Sequence, residues 1–228
     1  MIRLTTRKNI LFYGDSNTWG FDPLTGERYP CEKRWTSICA GLLGGGFCCI
    51  PAGMNGRTTA FDDPLKGCRN GLEGLDYELQ THKPLDLVAV MLGTNDLKYT
   101  DAAGSAAGME ALVEKILSAN RRFCLSSPVF PDGANILLIS PVRLMQDISE
   151  TGRNDASAQS KKLSGLYGEI ARKYRLEFLD AAEVTAPSEA DGVHLDADGH
   201  ERMGSAAAES VKRFFEGTDL PADGPGDL

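Results

Sequence analysis

Five short apolar runs recur along the chain, and they constrain its fold more than any other feature. They are NILFYG (9–14), FCCIPA (47–52), LDLVAVMLG (85–93), ANILLISP (134–141) and LEFLDA (176–181). Most are rich in Val, Ile, Leu and Phe without polar alternation, the pattern of parallel strands covered on both faces. The stretches between them carry apolar residues at helical spacing: RWTSICAGLLGG (34–45), GMEALVEKILSANRRF (108–123), SAQSKKLSGLYGEIARKYR (157–175) and DADGHERMGSAAAESVKRFFEG (196–217). The last of these opens on an Asp-rich cap and stops at Gly217. Strands alternating with helices predict an α/β fold with a doubly wound sheet. No repeat or linker divides the chain, so residues 1–217 are expected to form one domain. The Gly-, Pro- and Asp-rich tail TDLPADGPGDL (218–228) is expected to be flexible.

The formal charge is −8, from 24 Lys and Arg against 32 Asp and Glu, and no basic run offsets it. Such a chain repels polyanions, which excludes nucleic acid and anionic membrane as main partners. With 42% hydrophobic and 25% charged residues, the composition is that of a globular protein able to bury a core. The opening MIRLTTRKNILFYGDS has neither the apolar stretch nor the cleavage site of a secretory signal. No run approaches membrane-spanning length. A cytoplasmic location is therefore expected, with the six cysteines reduced. None sits in a Cys-x-x-Cys pair, so they read as small apolar fillers and not as a zinc site.

In open α/β sheets, ligands bind beyond the carboxyl ends of the strands. The first run delivers Gly14-Asp15-Ser16-Asn17 to that rim, the second Gly53-Met54-Asn55-Gly56-Arg57, and the third Gly93-Thr94-Asn95-Asp96. Beyond the fifth stands Asp191-Gly192-Val193-His194. A serine, a glycine, an asparagine, and a histidine with an aspartate are the inventory of serine acyl transfer: nucleophile, oxyanion donors, base, and an orienter for the base. The chain has three histidines. His82 precedes the third strand, at the wrong end of the sheet, and His200 is expected at the surface. His194 alone combines the right rim with a carboxylate three residues away, a spacing that puts Asp191 on the same side of a helical turn. Gly14 is expected to permit a tight turn exposing Ser16, and Gly56 to let a backbone N–H approach a substrate oxygen. Asn95 can donate from a neutral amide without depressing the pKa of a neighbouring base.

The four blocks YGDSNTWG, GMNGRTT, LGTND and DGVHL, in this order over residues 14–195, resemble those of the SGNH (GDSL-type) hydrolases. The combination GDSNTWGFDP, GRTT and VMLGTNDLK is more similar still to the bacterial arylesterase and acyltransferase branch of that family. This resemblance implies a flavodoxin-like three-layer α/β/α fold with a central, mostly parallel sheet of about five strands. It implies a serine esterase without cofactors: Ser16 as nucleophile, His194 as base and Asp191 as its partner. The oxyanion hole would be formed by the Ser16 and Gly56 N–H groups and the Asn95 amide. Two departures stand out. Asn17 replaces the leucine of many relatives, which touches the packing behind the serine, and SPVRLMQD after the fourth strand lacks the proline cluster of the nearest branch.

Neighbouring groups have plainer readings. Asp15 and Asp96 read as turn and capping hydrogen-bonders. Arg57 is a candidate for binding a substrate carboxylate, or an exposed partner of Asp62 and Asp63. Trp19 is a candidate wall of the substrate pocket, with Phe21, Pro23 and Leu24. Asp196, Asp198, His194 and His200 superficially resemble metal ligands, but DADGH is better explained as a helix cap, so no metal is expected. A nucleotide- or flavin-binding module would need a phosphate loop after the first strand, and GDSNTWG is neither Gly-x-Gly-x-x-Gly nor Gly-x4-Gly-Lys-Ser/Thr. An α/β-hydrolase would need a Gly-x-Ser-x-Gly elbow, which is absent. A catalytically dead binding protein is a third class, although no member of the constellation is missing. The expected substrate is a small short-acyl or aryl ester, with acyl transfer or perhydrolysis as a side activity and carbohydrate O-deacetylation as the alternative. Segments 21–34 and 57–74 follow the serine and glycine blocks and are expected to overhang the site. A homo-oligomer is compatible with the sequence, which displays no interface.

Overall fold

The computed structural model describes residues 7–64, 66–125, 127–148 and 152–218, so the tail beyond Thr218 lies outside the described residues. Five strands, β1 (Lys8–Gly14), β2 (Phe47–Gly53), β3 (Leu87–Met91), β4 (Ile136–Ser140) and β5 (Glu177–Asp180), form one sheet in the order β2-β1-β3-β4-β5. Every pairing is parallel, in line with the expected mostly parallel sheet. The α-helices among the described residues are α1 (Ser16–Trp19), α2 (Trp35–Leu43), α3 (Gly71–His82), α4 (Ala102–Leu117), α5 (Ala119–Arg122), α6 (Ala156–Tyr174), α7 (Ala181–Val184) and α8 (Ala197–Thr218).

The apolar runs are continuous because alternate residues of an inner strand face two separate cores. Leu11, Tyr13, Val88, Val90 and Leu138 pack with Leu75 and Leu79 of α3, Met109 and Leu112 of α4, and Leu163 and Tyr167 of α6. Their neighbours Ile10, Phe12, Leu87, Ala89 and Ile139 turn the other way, to Trp35 and Cys39 of α2 and Met203 and Val211 of α8. Trp35 meets Phe12 edge-on with ring centroids 4.9 Å apart. Burying side chains of this size contributes about 1.5–3 kcal/mol each. The outer strands depart from the expectation of burial on both faces. Most of β2 and all of β5 are half-buried, because each has a neighbour on one side only. An edge also tolerates Pro51, which has no N–H to give a second partner.

Two helical segments differ from the sequence pattern. The segment 57–74, expected as an overhanging loop, gives way at Gly71 to α3. The signals for that helix are local: Asn70 accepts from the Leu72 and Glu73 N–H groups as an N-cap, and Leu72, Leu75 and Leu79 recur at helical spacing. The helix expected over 108–123 starts earlier, where Asp101 caps Gly104, and breaks at Ser118 into α4 and α5. With β1 flanked by β2 and β3, the chain reverses its winding at β1, and a crevice opens beyond the carboxyl ends of those strands.

Candidate active site

Strand β1 runs into α1 through Asp15, whose carboxylate accepts from the Asn17 N–H at 3.0 Å and caps the short helix. Ser16 is its first residue. Gly14 does not supply the turn dihedral expected of it, since its φ is not positive. It supplies space: a Cβ there would lie 2.1 Å from Thr18 Oγ1.

Across the crevice, His194 Nε2 stands 2.9 Å from Ser16 Oγ, and His194 Nδ1 2.5 Å from Asp191 Oδ2. Asp191 Oδ1 accepts from the Val193 and His194 N–H groups, each at 2.9 Å. Burial pushes the Asp191 carboxyl up, but those N–H groups and the imidazole outweigh it and hold it below the ordinary carboxylate value. The turn is braced from the stretch after β4, where the Met145 N–H donates to Gly192 O at 2.9 Å and Gln146 Nε2 to Asp191 O at 2.5 Å. The stretch without the proline cluster therefore has a supporting role. Asn17 does more than fill space behind the serine. The Leu195 N–H donates to its Oδ1 at 2.9 Å, and its Nδ2 makes a longer bond of 3.4 Å to Val193 O. This side chain clamps the serine turn to the histidine turn.

Gly56 adopts φ +77°, the left-handed region that favours glycine. Among the described residues, neither its N–H nor that of Ser16 has a hydrogen-bond partner in the protein. Asn95 Nδ2 donates to Arg57 O at 3.1 Å, and a primary amide has a second N–H to give. Beneath these donors lie two buried carboxyls. Asp96 accepts from the Thr59 N–H at 3.1 Å and 3.0 Å and from Thr59 Oγ1, which ties the Gly56 loop to the end of β3. Burial pushes Asp96 up to about 7 and Asp15 to about 6.

That shift fixes a pH dependence. The folded-state pKa of Asp96 lies above its ordinary value of 3.8, so the folded protein holds the proton more tightly. The corresponding stability is complete below pH 3.8 and lost as pH rises through about 7. The unfolding free energy of the wild type minus that of Asp96→Asn should fall steadily between those limits in urea titrations. A difference that stays flat or rises would contradict this account.

Three residues sit elsewhere than expected. Arg57 is 6% exposed, lies 4.1 Å over the Tyr13 ring, and donates through Nη1 to Gly14 O and Ala52 O. It laces the ends of β1 and β2 together and neither faces the crevice nor pairs with Asp62 or Asp63. Trp19 carries the Arg28 guanidinium 4.8 Å from its ring and does not line the cleft; Phe21 does, 4.2 Å from the His194 ring. His200, expected at the surface, is fully buried. Its Nδ1 accepts the Trp35 N–H at 3.3 Å, serving the start of α2, whose own N-cap Arg34 offers no side-chain acceptor. Burial drives His200 down to about 4, which keeps it neutral and able to accept. In DADGH, Asp196 Oδ1 accepts the Gly199 N–H at 2.7 Å, a helix cap as read from the sequence.

Ser16, His194, Gly56 and Asn95 share a cleft of about 310 Å³. Phe21, Asn55, Lys66, Arg69, Lys98, Ile148 and Val193 also line it. A wider groove of about 870 Å³, bordered by Asp76, Lys115 and Arg122, contains none of these groups. A hydroxyl, an imidazole and a carboxylate in this order can pass the hydroxyl proton to nitrogen, and free N–H donors beside them can receive negative charge on a carbonyl oxygen. Among the described residues, no helix is long and apolar enough to cross a membrane.

Comparison with known proteins points to one group. The GDSL-like lipase/acylhydrolase family matches residues 12–202. A carbohydrate acetylesterase from Sinorhizobium meliloti is 36% identical, with a TM-score of 0.85 over 92% of this chain and 100% of its own. An aryl esterase from M. smegmatis is 34% identical, with a TM-score of 0.82 over 90% of this chain and 99% of its own. A multidomain esterase from Ruminococcus flavefaciens is 24% identical over 178 residues, 75% of this chain, which spans only 20% of that relative's length.

Proposed function

The chain belongs to the GDSL-like lipase/acylhydrolase family of ester-cleaving enzymes, and from that premise we propose that it hydrolyses small carboxylic esters through an acyl-enzyme on Ser16. The observation that carries this reading is the single cleft in which Ser16 Oγ meets the His194–Asp191 pair beside the unpartnered Gly56 N–H and the Asn95 amide.

In this reading Ser16 Oγ attacks the ester carbonyl while His194 Nε2 takes its proton. The oxyanion is held by the Ser16 and Gly56 N–H groups and Asn95 Nδ2. The imidazolium, stabilised by Asp191, then protonates the departing alkoxide, leaving acyl-Ser16. Water, deprotonated by the same imidazole, cleaves the acyl-enzyme and restores the serine. A primary alcohol in place of water gives acyl transfer, favoured where Phe21 shields the His194 face from solvent. The cleft volume of about 310 Å³ suits a short acyl group better than a lipid chain. Sugar O-deacetylation is a second reading, supported by the similar carbohydrate acetylesterase and by the polar lining from Asn55 and Asn95.

A fluorophosphonate should add once per chain, on the Ser16 peptide by mass spectrometry, and block hydrolysis of p-nitrophenyl acetate in proportion. With benzyl alcohol present, benzyl acetate should accumulate beside acetate. Full inhibition with the label on another residue would overturn the assignment of Ser16.

A further inference from the structure

The Gly56 N–H belongs to a peptide that can point either way. Met54, Asn55, Gly56 and Arg57 form a β-turn, closed by the Arg57 N–H donating to Met54 O at 3.1 Å. Gly56, third in the turn, has φ +77°, whereas Asn55 before it has no positive φ. This is a type II turn, whose third residue takes a φ of about +80°. Types I and II follow the same chain path and differ by a flip of the central peptide, here the one joining Asn55 C=O to Gly56 N–H. Glycine in third place accepts both forms. In the form observed, the Gly56 N–H has no partner among the described residues, and Gly56 lines the cleft. A flip would replace that donor with the Asn55 carbonyl, an acceptor that repels a developing oxyanion.

Arg69 bears on this choice. Its Nη1 donates to Asn55 O, the opposite end of the same peptide. C=O and N–H of a trans peptide point in opposite directions, so a donor fixed on the oxygen also fixes where the hydrogen points. The arginine side chain lies along the turn, with Cδ and Nε 3.5 Å from where a Gly56 Cβ would stand. Its backbone is tied to the same loop: Arg69 O accepts from the Thr58 N–H at 3.0 Å and from Thr58 Oγ1 at 3.2 Å. Thr59, the next residue, is held in turn by Asp96 beside Asn95. Arg69 Nε is already buried without an acceptor. A flip would take Asn55 O away as well and leave a second donor of the cation unpaired, which disfavours the flipped form. Resting on the esterase reading, we propose that Arg69 is a positioning residue of the oxyanion hole, a latch that keeps the Asn55–Gly56 peptide with its N–H toward the reacting carbonyl oxygen. Without the latch the turn exchanges between its two forms. Only the unflipped fraction reacts, so kcat scales with that fraction, while substrate binds both forms and KM stays.

The test is Arg69→Met, which keeps an unbranched apolar stem and removes the donors. With p-nitrophenyl acetate its kcat should fall about tenfold or more, up to the ~10²–10³-fold cost of losing one oxyanion donor, with KM within about twofold of the wild type. Acylation and deacylation both pass through an oxyanion, so kcat falls whichever step limits it. The inhibitor 2,2,2-trifluoroacetophenone adds to Ser16 Oγ as a hemiketal oxyanion, and its Ki should rise by the factor by which kcat falls. A merely structural role would lower the thermal midpoint without moving Ki and kcat in proportion. Arg69→Lys, which can still donate to Asn55 O, should recover part of both and keeps the test open if the methionine variant does not fold. A kcat for Arg69→Met within about twofold of the wild type would overturn the latch, as would a rise in KM alone, which would make Arg69 a substrate-binding residue. Changes in Ki and kcat of either variant that do not track each other would overturn it too. Each of these outcomes leaves the esterase reading standing, provided the wild type cleaves the ester. A wild type that cleaves no ester would sink both.

Discussion

Replacing Ser16 with alanine should lower kcat by about 10⁴–10⁶-fold, the cost of removing a nucleophile from a group of residues that act as a unit. The change deletes one oxygen, 2.9 Å from His194 Nε2, at a residue 8% exposed, and leaves the Asp15 cap and the Asn17 clamp untouched. The thermal midpoint should therefore move little, and KM should change far less than kcat. Fluorophosphonate labelling should disappear with activity. Labelling that persists in Ser16→Ala would move the nucleophile to another residue.

Asp191→Asn is expected to be nearly as severe, about 10⁴-fold in kcat. The amide introduced by this change could keep an oxygen at the Oδ1 position, where the Val193 and His194 N–H groups donate. It would present an NH₂ group where Oδ2 now accepts from His194 Nδ1 at 2.5 Å. Two donors cannot share that contact, so the imidazole proton shifts to Nε2 and the ring loses the lone pair that takes the serine proton. The folded state is preserved because the backbone bonds survive. Steady-state kinetics together with a circular dichroism melt separate the two effects, and an Asp191→Asn enzyme within tenfold of the wild type would show that the carboxylate does not set the tautomer.

The inner strands were legible because burial on both faces forbids polar alternation, and a run such as LVAV admits few other structures. The rim residues followed because strands of one direction deliver their ends to one side. What the sequence hid were side chains whose partners lie far along the chain. Arg57 reads as a ligand for anions until Tyr13 and the Gly14 and Ala52 carbonyls are found around it. His200 reads as exposed until Trp35, 165 residues away, offers its N–H. Asn17 reads as a substitution in packing until it is seen bonded to the histidine turn. Lys66 and Arg69 stand in an aperiodic loop, where no spacing announces a shared cleft. By contrast α3 had a cap and a stripe, and its signal was local.

The clamp has a temporal consequence. Ser16 and His194, like Asn17 and Leu195, are separated by 178 positions. A ribosome completes the hydroxyl-bearing turn 178 residues before its proton acceptor. Through that interval the nascent polypeptide carries a serine with no base beside it, chemically as quiet as any surface hydroxyl. Only when the turn before α8 docks under Asn17 do the two halves meet, so a stalled or truncated chain is latent by construction. Such late closure between distant segments is slow relative to local folding. It makes reactivity wait on the meeting of two distant segments.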